Sequence, residues 1–165
     1  MENGIFLGLG SNLGDRLGTI RKAIQLLSGQ GALMTAASHV YETPPWGNVD
    51  QPAFLNMVIE IAFPGDPEEL LSIMLATENQ LGRVRSVHWG PRAIDIDMLA
   101  FGSEIILGQR LTVPHPLLGE RAFVLVPWAE IAPGFMVPGK QKTVQELLDL
   151  LPASACEAIW QLPNE

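Results

Sequence analysis

The order of the periodic segments constrains the fold of this chain more than any other feature of its sequence. Each segment carries apolar residues at strand or helix spacing and is bounded by Gly, Pro or Asp. The predicted segments are strand 5–9, helix 16–27, extended segments 33–41 and 53–63, helix 66–81 and strand 93–101. This order predicts an α+β fold with a ferredoxin-like βαββαβ core, in which helices pack on an antiparallel sheet.

Local signals indicate where the predicted helices begin and end. Asp66 precedes a proline and two glutamates, which is typical of an N-cap followed by acidic residues near the positive end of the helix dipole. Gly82 is expected to end that helix, and Gly29 and Gly31 are expected to end the first one. These residues place both predicted helices between strands of the core.

The residues after the core predict a C-terminal extension. The segment 113–116 (VPHP) precedes a predicted short strand at 122–126. Thr143 and Glu146 fit a capping box, so a last helix should begin at Thr143. The sequence contains no repeat, low-complexity tract or visible boundary, and we therefore predict one domain over residues 1–165.

Composition narrows the class of protein. The chain has 165 residues, of which 47% are hydrophobic and 17% are charged, which is typical of a globular protein with a real core. Its net charge of −8 argues against a general nucleic-acid binder. No apolar run approaches a membrane span, and the one cysteine, Cys156, suits a reducing compartment. We expect a cytoplasmic monomer that binds no membrane and no nucleic acid.

The basic residues are unevenly distributed along this acidic chain. Five of the ten fall between positions 83 and 121, and all five are arginines: Arg83, Arg85, Arg92, Arg110 and Arg121. Arginine binds phosphate as a planar fork, so the cluster indicates a small anionic ligand. Ordinary surface salt bridges explain the clustering equally well at this point.

Two carboxylates lie on one face of the last predicted core strand. Side chains two residues apart share a face of a strand, so Asp95 and Asp97 point one way and Ile94, Ile96 and Met98 the other. The two aspartates are roughly 7 Å apart along the strand. Mg²⁺ binds through one or two carboxylates together with substrate phosphates. A strand with a polar, half-exposed face is the alternative, and the nearby arginines favour the metal.

Other segments could contact a ligand, but the sequence is also compatible with a structural role for them. Residues 8–14 resemble a dinucleotide-binding turn, but Leu13 stands where the third glycine is required, so a tight turn before a helix is the better interpretation. The loop after Thr43 is rich in proline, and Asn56 offers a paired donor and acceptor that suits a flat heterocycle. Phe54 and Phe123 could stack on such a ring or lie in the core.

These segments resemble the 6-hydroxymethyl-7,8-dihydropterin pyrophosphokinase family of folate synthesis. The similarity covers most of residues 5–133 in order, and its most specific part is the run from Trp89 to Asp97. The matching segments are 10–14 (GSNLG), 43–47 (TPPWG), 51–56 (QPAFLN), 82–85 (GRVR), 89–97 (WGPRAIDID), 113–116 (VPHP), 121–125 (RAFVL) and 130–133 (EIAP).

The resemblance implies an ATP-dependent diphosphotransferase that moves the pyrophosphoryl group of ATP to the pterin hydroxymethyl group and releases AMP. It implies two Mg²⁺ ions on Asp95 and Asp97, with ATP as the co-substrate. The implied pterin-binding residues are Thr43, Pro44, Trp46, Phe54, Asn56 and Phe123. The implied ATP-binding residues are Glu78, Arg83, Arg85, Trp89, Arg92, Arg110, Thr112, His115 and Arg121. It further implies three mobile loops, near residues 10–15, 43–53 and 82–92.

Within this scheme Arg83 and Arg92 join Asp95 and Asp97 as catalytic candidates. The arginines would stabilise charge on the transferring group and on AMP, and Asp97 is a candidate for deprotonating the hydroxyl. Ser86 departs from the family, because a basic residue sometimes follows the second arginine of the loop. Phe54 departs as well, since a tyrosine often stacks on the pterin. The rival hypotheses are another metal-dependent phosphotransfer or hydrolysis enzyme, and a binding module without catalysis.

Overall fold

The computed structural model describes residues 4–43, 53–82 and 94–163, and these residues form one central sheet with helices on both faces. The helices are α1 (Arg16–Gly29), α2 (Pro67–Gln80), α3 (Ala122–Ile131), α4 (Val144–Asp149) and α5 (Ala153–Glu157). The strands are β1 (Ile5–Ser11), β2 (Leu33–Ala37), β3 (Tyr41–Thr43), β4 (Phe54–Ala62), β5 (Asp95–Phe101), β6 (Ile106–Leu107), β7 (Thr112–Val113), β8 (Met136–Val137), β9 (Lys142–Thr143) and β10 (Trp160–Gln161).

The central sheet has the connectivity of a ferredoxin-like core. Its strand order is β10-β3-β4-β1-β5, and β2 pairs with β4 beside β3. Every pairing in the sheet is antiparallel. The predicted extended segment 33–41 is divided into β2 and the beginning of β3, and β1 runs two residues beyond its predicted end. The predicted order of strands and helices is confirmed.

One face of the sheet is covered by α1 and α2. The strand residues Leu7, Leu9 and Ile96 are buried there against Ile20 of α1 and Leu70 of α2. Burying one such side chain stabilises the fold by about 1.5 to 3 kcal/mol, so this face supplies a large share of the core.

The other face is covered by α3 over only part of its length. Phe6, Val58 and Leu99 are buried there against Leu125 and Trp128 of α3. Phe6 lies near the N-terminal end of β1, Val58 in the middle of β4 and Leu99 in the C-terminal half of β5. The glycines and carboxylates described below follow at the opposite end of the same face.

A carboxylate joins α3 to β3 and to the residues just before it. Glu130 of α3 accepts hydrogen bonds from the hydroxyl of Tyr41 at 2.5 Å and from the backbone amide of His39 at 3.1 Å, and it lies 2.7 Å from Nδ1 of His39. Burial alone would raise the pKa of Glu130, but these hydrogen bonds reverse the effect and the pKa is lowered. Glu130 therefore holds α3 in place as a charged acceptor.

The predicted strand at 122–126 is wrong, because these residues begin helix α3. Val124 and Val126 have the β-branched side chains that strands favour, and Pro127 would end a strand there. In the structure, however, Ala122, Leu125 and Ala129 are buried at helical spacing. Packing on the sheet therefore outweighs local preference.

The predicted helix boundaries are close to those observed. Asp66 caps α2, as predicted, and it also forms a capping box with Glu69. Thr143 forms the predicted capping box with Glu146 at α4. Helix α1 continues through Gly29, and the chain leaves it at Gly31, whose φ of 96° suits glycine. Within the described residues, no helix combines the length and the apolar character that crossing a membrane requires.

Candidate active site

The candidate site is built on two adjacent rows of residues that run across three strands. In the first row Asn56 of β4 is paired with Gly10 of β1, and Gly10 is paired with Asp95 of β5. In the second row Gly8 lies between Val58 and Asp97. Paired residues in neighbouring strands direct their side chains to the same face. The register therefore puts Asn56 and both aspartates on the face that α3 only partly covers.

Gly10 separates the amide from the carboxylates. A Cβ at this position would lie 2.7 Å from Oδ1 of Asn56 and 3.7 Å from Cδ1 of Phe54, so a side chain there would displace the amide. Because Gly10 has no side chain, only backbone separates Asn56 from Asp95 in the first row. A flat ligand that contacts Asn56 and the ring of Phe54 can therefore extend across β1 towards Asp95.

Asp95 and Asp97 occupy the face that the alternation predicted. Both aspartates are partly exposed. Ile96, which lies between them, and Met98, which follows Asp97, are buried on the opposite face. Nη1 of Arg121 lies 3.8 Å from Oδ2 of Asp97, and the two side chains are 15% and 29% exposed. The carboxylates therefore face a cation at the start of α3 and remain open to solvent.

His115 is a neutral side chain beside this pair. Burial and then the charge of Arg121 lower the pKa of His115 to about 4, against the opposing effect of Asp95. The backbone amide of Leu117 donates to Nδ1 of His115 at 3.2 Å. Because Nδ1 is the acceptor, the ring proton is on Nε2 at neutral pH. His115 can therefore donate one hydrogen bond to an anion without adding charge.

Arg121 connects the carboxylates with an aromatic ring. Its guanidinium carbon lies 5.6 Å from the centroid of the Phe123 ring, within the range of a cation–π contact. Arg121 is the residue before α3, and its side chain makes no capping hydrogen bond to that helix. Its position instead brings the charge towards Asp97 and His115.

Glu78 is buried at the free edge of β5. Its side chain in α2 is only 2% exposed, and Oε2 accepts the backbone amide of Ile96 at 2.8 Å. Because β5 ends the sheet, alternate amides of this strand point away from it and need another acceptor. Glu78 thus holds the backbone between Asp95 and Asp97.

Arg110 and Thr112 lie further from the carboxylates. Arg110 contacts α2 through Glu68 at 3.3 Å and Ser72 at 3.4 Å. The hydroxyl of Thr112 donates to the carbonyl of Gly108 at 3.3 Å. The predicted ATP residues thus form two groups, with Glu78 and Arg110 on the α2 side of β5 and His115 and Arg121 at the carboxylates.

Asn56 and Thr43 form a buried polar pair on the other side of Gly10. Nδ2 of Asn56 donates to the Thr43 hydroxyl at 2.8 Å, which fixes the orientation of the amide. Both residues are buried. Oδ1 of Asn56 is therefore directed by a hydrogen bond that the protein itself supplies.

Comparison with known proteins decides the family. A protein-family model described as 7,8-dihydro-6-hydroxymethylpterin-pyrophosphokinase matches residues 6–133. The chain belongs to this family. The predicted family is confirmed, and with it the predicted class of enzyme, an ATP-dependent pyrophosphokinase of folate synthesis.

Relatives of similar length support the family. The chain is 45% identical over 155 residues to the 2-amino-4-hydroxy-6-hydroxymethyldihydropteridine pyrophosphokinase of Methylorubrum extorquens, covering 93% of this chain and 97% of the relative. It is 48% identical over 132 residues to the enzyme of the same name from Bacillus subtilis, covering 79% of each chain.

Solved structures support the fold. The chain is similar to a Plasmodium falciparum HPPK-DHPS triple mutant with pteroate, with a TM-score of 0.77 and 14% identity, covering 98% of this chain and 47% of that one. An HPPK-DHPS in complex with substrates gives a TM-score of 0.75 and 13% identity. The chain spans about half the length of these fused proteins. The predicted ferredoxin-like fold is confirmed.

Several predicted residues of the pyrophosphokinase site lie outside the described part of the chain. They are Pro44, Trp46, Arg83, Arg85, Trp89 and Arg92. Two of the three expected mobile loops, near 43–53 and 82–92, fall largely on the same residues. These assignments stay predictions.

Gly10 is a site residue that the sequence reasoning missed. The sequence pattern predicts Gly10 in a turn before α1, whereas it lies in β1 between β4 and β5. The signal was present, since glycines at alternating positions 8 and 10 of a strand indicate a close approach of ligand or backbone. Only the strand register shows what lies on either side of it.

Proposed function

We propose that this chain transfers the pyrophosphoryl group of ATP to the hydroxymethyl oxygen of 6-hydroxymethyl-7,8-dihydropterin and releases AMP. The row Asn56, Gly10, Asp95 is the observation that carries the proposal. It offers an oriented amide for a flat heterocycle at one end and a carboxylate for a metal–phosphate group at the other. Membership of the pyrophosphokinase family supports the same reaction.

The substrates are assigned to the two ends of this row. We assign the dihydropterin to Thr43, Asn56, Phe54 and Phe123, together with Pro44 and Trp46. We assign ATP to His115 and Arg121 at the carboxylates and to Glu78, Arg110 and Thr112 on the α2 side of β5. The ATP set is completed by the predicted loop residues Arg83, Arg85, Trp89 and Arg92.

The carboxylates suit Mg²⁺ as the resident cation. Among the residues that the structure describes, no group of three or more metal-ligating side chains is found, so Asp95 and Asp97 stand as a pair. Mg²⁺ commonly takes one or two carboxylates and completes its shell with water and phosphate oxygens, which fits this donor set. Two ions held here would neutralise triphosphate charge and polarise the reacting oxygens.

The reaction forms one bond and breaks another at the β-phosphorus. The hydroxymethyl oxygen bonds to Pβ, the bond from Pβ to the α–β bridging oxygen breaks, and that oxygen leaves on AMP. The hydroxyl proton is released, and Asp97 is the proposed acceptor. Arg83 and Arg92 are proposed to stabilise charge on the transferring group and on AMP. His115 donates to a phosphate oxygen through Nε2–H.

Product analysis tests the proposal against its rivals. Purified chain is incubated with ATP, Mg²⁺ and the dihydropterin, and the products are separated and quantified. AMP and a diphosphorylated pterin in equal amounts are expected. ADP or inorganic phosphate would indicate a different phosphotransfer or hydrolysis enzyme. The absence of product with retained binding would indicate a binding module.

We also propose that the chain works as a cytoplasmic monomer. Cys156 is the only cysteine in the sequence, which suits a reducing compartment. Light scattering coupled to size-exclusion chromatography should give a mass near 17.9 kDa. A dimer mass that persists at the enzyme concentration of the assay would contradict the monomer.

A further inference from the structure

Arg16 joins two segments that are far apart in the sequence. Its Nη1 donates to Oε2 of Glu42 at 2.8 Å and to the backbone carbonyl of Ala53 at 2.9 Å. Glu42 is in β3, and Ala53 directly precedes β4. One guanidinium nitrogen therefore contacts a residue near each end of the segment 44–52, Glu42 before it and Ala53 after it.

The start of α1 fixes the position from which Arg16 reaches these groups. Asp15 caps the helix by accepting the amide of Gly18 at 3.1 Å. A Cβ on Gly18 would lie 2.2 Å from Oδ2 of Asp15, so the glycine makes room for this cap. Arg16 is the first residue of the helix and directly follows the N-cap Asp15, so its backbone position is fixed.

The two contacts join residues next to the proposed pterin site. Thr43 follows Glu42, and Phe54 follows Ala53. Thr43 is paired with Phe54 across β3 and β4, and its hydroxyl orients Asn56. A change in the spacing of the two strand ends would therefore move the threonine, the ring and the amide relative to one another.

The contacts contribute more to position than to stability. The Arg16 and Glu42 side chains are 30% and 40% exposed. An ion pair at such a site stabilises a protein by only about 0 to 1 kcal/mol. The second acceptor is the backbone carbonyl of Ala53, so the contact with the start of β4 does not depend on the side chain at position 53.

We infer that Arg16 is a positioning residue for the dihydropterin side of the site, acting by holding both ends of the segment 44–52. The inference rests on the proposed function. Arg16 acts through Thr43, Phe54 and Asn56, and it therefore sets the affinity for the pterin without taking part in phosphoryl transfer.

Steady-state kinetics of Arg16→Met test this inference. The variant keeps much of the side-chain length and loses both hydrogen bonds, so we expect the KM for the dihydropterin to rise about 5- to 20-fold. The KM for ATP should stay within about twofold, since the described ATP residues are on α2 and in the segment 110–121 before α3. Thermal unfolding should shift by only about 1 to 3 °C.

Two further variants separate positioning from charge and from folding. Arg16→Lys restores a cation and should recover part of the pterin affinity, although one ammonium fits two acceptors less well. Glu42→Gln removes the same ion pair by changing its partner in β3, and its effect should not add to that of Arg16→Met. Lys22→Met, at an exposed position of α1, is the matched control and should leave both KM values unchanged.

The outcomes distinguish the inference from the proposed function. An unchanged pterin KM in Arg16→Met overturns the inference alone, and so does an equal rise in both KM values. A fall in kcat without a change in pterin KM does the same. Wild-type chain that yields no AMP with the dihydropterin overturns the proposed function, and the inference with it.

Discussion

The two faces of the central sheet differ in character although the same strands form both: one face is part of the apolar core, and the other carries the candidate site. In β1, Leu7 and Leu9 are buried beneath α1 and α2, while Gly8 and Gly10 lie on the opposite face, paired with Asp97 and Asp95 of β5. In β5, Ile96 points to the apolar face and Asp95 and Asp97 to the other. A period of two therefore lets one strand contribute to the core on one face and to the candidate site on the other.

The second face is itself divided by the length of α3. Where α3 covers the sheet, Phe6 and Leu99 are buried against Trp128. Beyond the helix the sheet carries Gly10, the oriented amide of Asn56 and the two carboxylates, with the ring of Phe54 beside the glycine. Because α3 is short, part of this face remains uncovered and accessible to ligands. Substitutions on this face should therefore lower activity, whereas substitutions on the apolar face should lower stability.

The largest expected effect is on catalysis at the open face. Asp97→Ala should lower AMP formation by about 1,000-fold or more, because it removes a proposed metal ligand and the candidate base. Its free energy of unfolding should change by no more than about 1 kcal/mol, because removing one of two neighbouring carboxylates also relieves their repulsion. Turnover with Mg²⁺ and urea denaturation measure the two quantities.

Asp149→Ala is the control for the loss of a carboxylate. Asp149 lies at the end of α4 and accepts a hydrogen bond from Gln145 at 2.9 Å, away from the site. It should leave turnover intact. Near wild-type turnover in Asp97→Ala would remove the carboxylate pair from the mechanism.

The apolar face should respond with a loss of stability. Leu7→Ala deletes a fully buried side chain from the core beneath α1 and α2, and the free energy of unfolding should fall by about 2 to 5 kcal/mol. The kcat of the folded fraction should remain within about twofold, because the cavity lies on the far side of the sheet. A kcat loss as large as that of Asp97→Ala would show that the faces are not independent.

A methyl group at Gly10 should affect both stability and binding. The new Cβ would lie 2.7 Å from Oδ1 of Asn56, so the amide must move away from its place beside Thr43. We expect a stability loss of about 1 to 3 kcal/mol from crowding. The KM for the dihydropterin should rise about tenfold as the oriented amide is lost.

Gly29→Ala is the matched control for Gly10→Ala. No heavy atom lies within 4 Å of a Cβ built at Gly29, which is in the last turn of α1. That variant should keep both the stability and the pterin KM. A pterin KM unaffected by Gly10→Ala would contradict the role given to the first row.

The smallest expected effect is electrostatic. Because Arg121 helps to lower the pKa of His115 to about 4, Arg121→Gln should raise that pKa towards 6.5. An NMR titration of the His115 ring measures this. In the wild type, the unfolded state takes up the proton first as the pH falls from 6.5 to 4, so His115 should lower stability progressively through that range. A wild-type midpoint near 6.5 would contradict the buried, neutral ring.

The sequence by itself determined the elements whose signals are local. Helix caps at Asp66 and Thr143, the alternation around Asp95 and Asp97, and the order of the core segments all depend on residues a few positions apart. The motifs also identified the family, and the comparisons confirm it. The carboxylate pair was therefore predictable before any tertiary contact was known.

Only the tertiary structure decided which distant residues meet. It made 122–126 part of a helix by burying Ala122 and Leu125 on the sheet, and it placed Gly10 between Asn56 and Asp95. It also brought Arg16 to both ends of the segment 44–52. These facts depend on strand register and on packing between elements, which side-chain periodicity within a single segment does not encode.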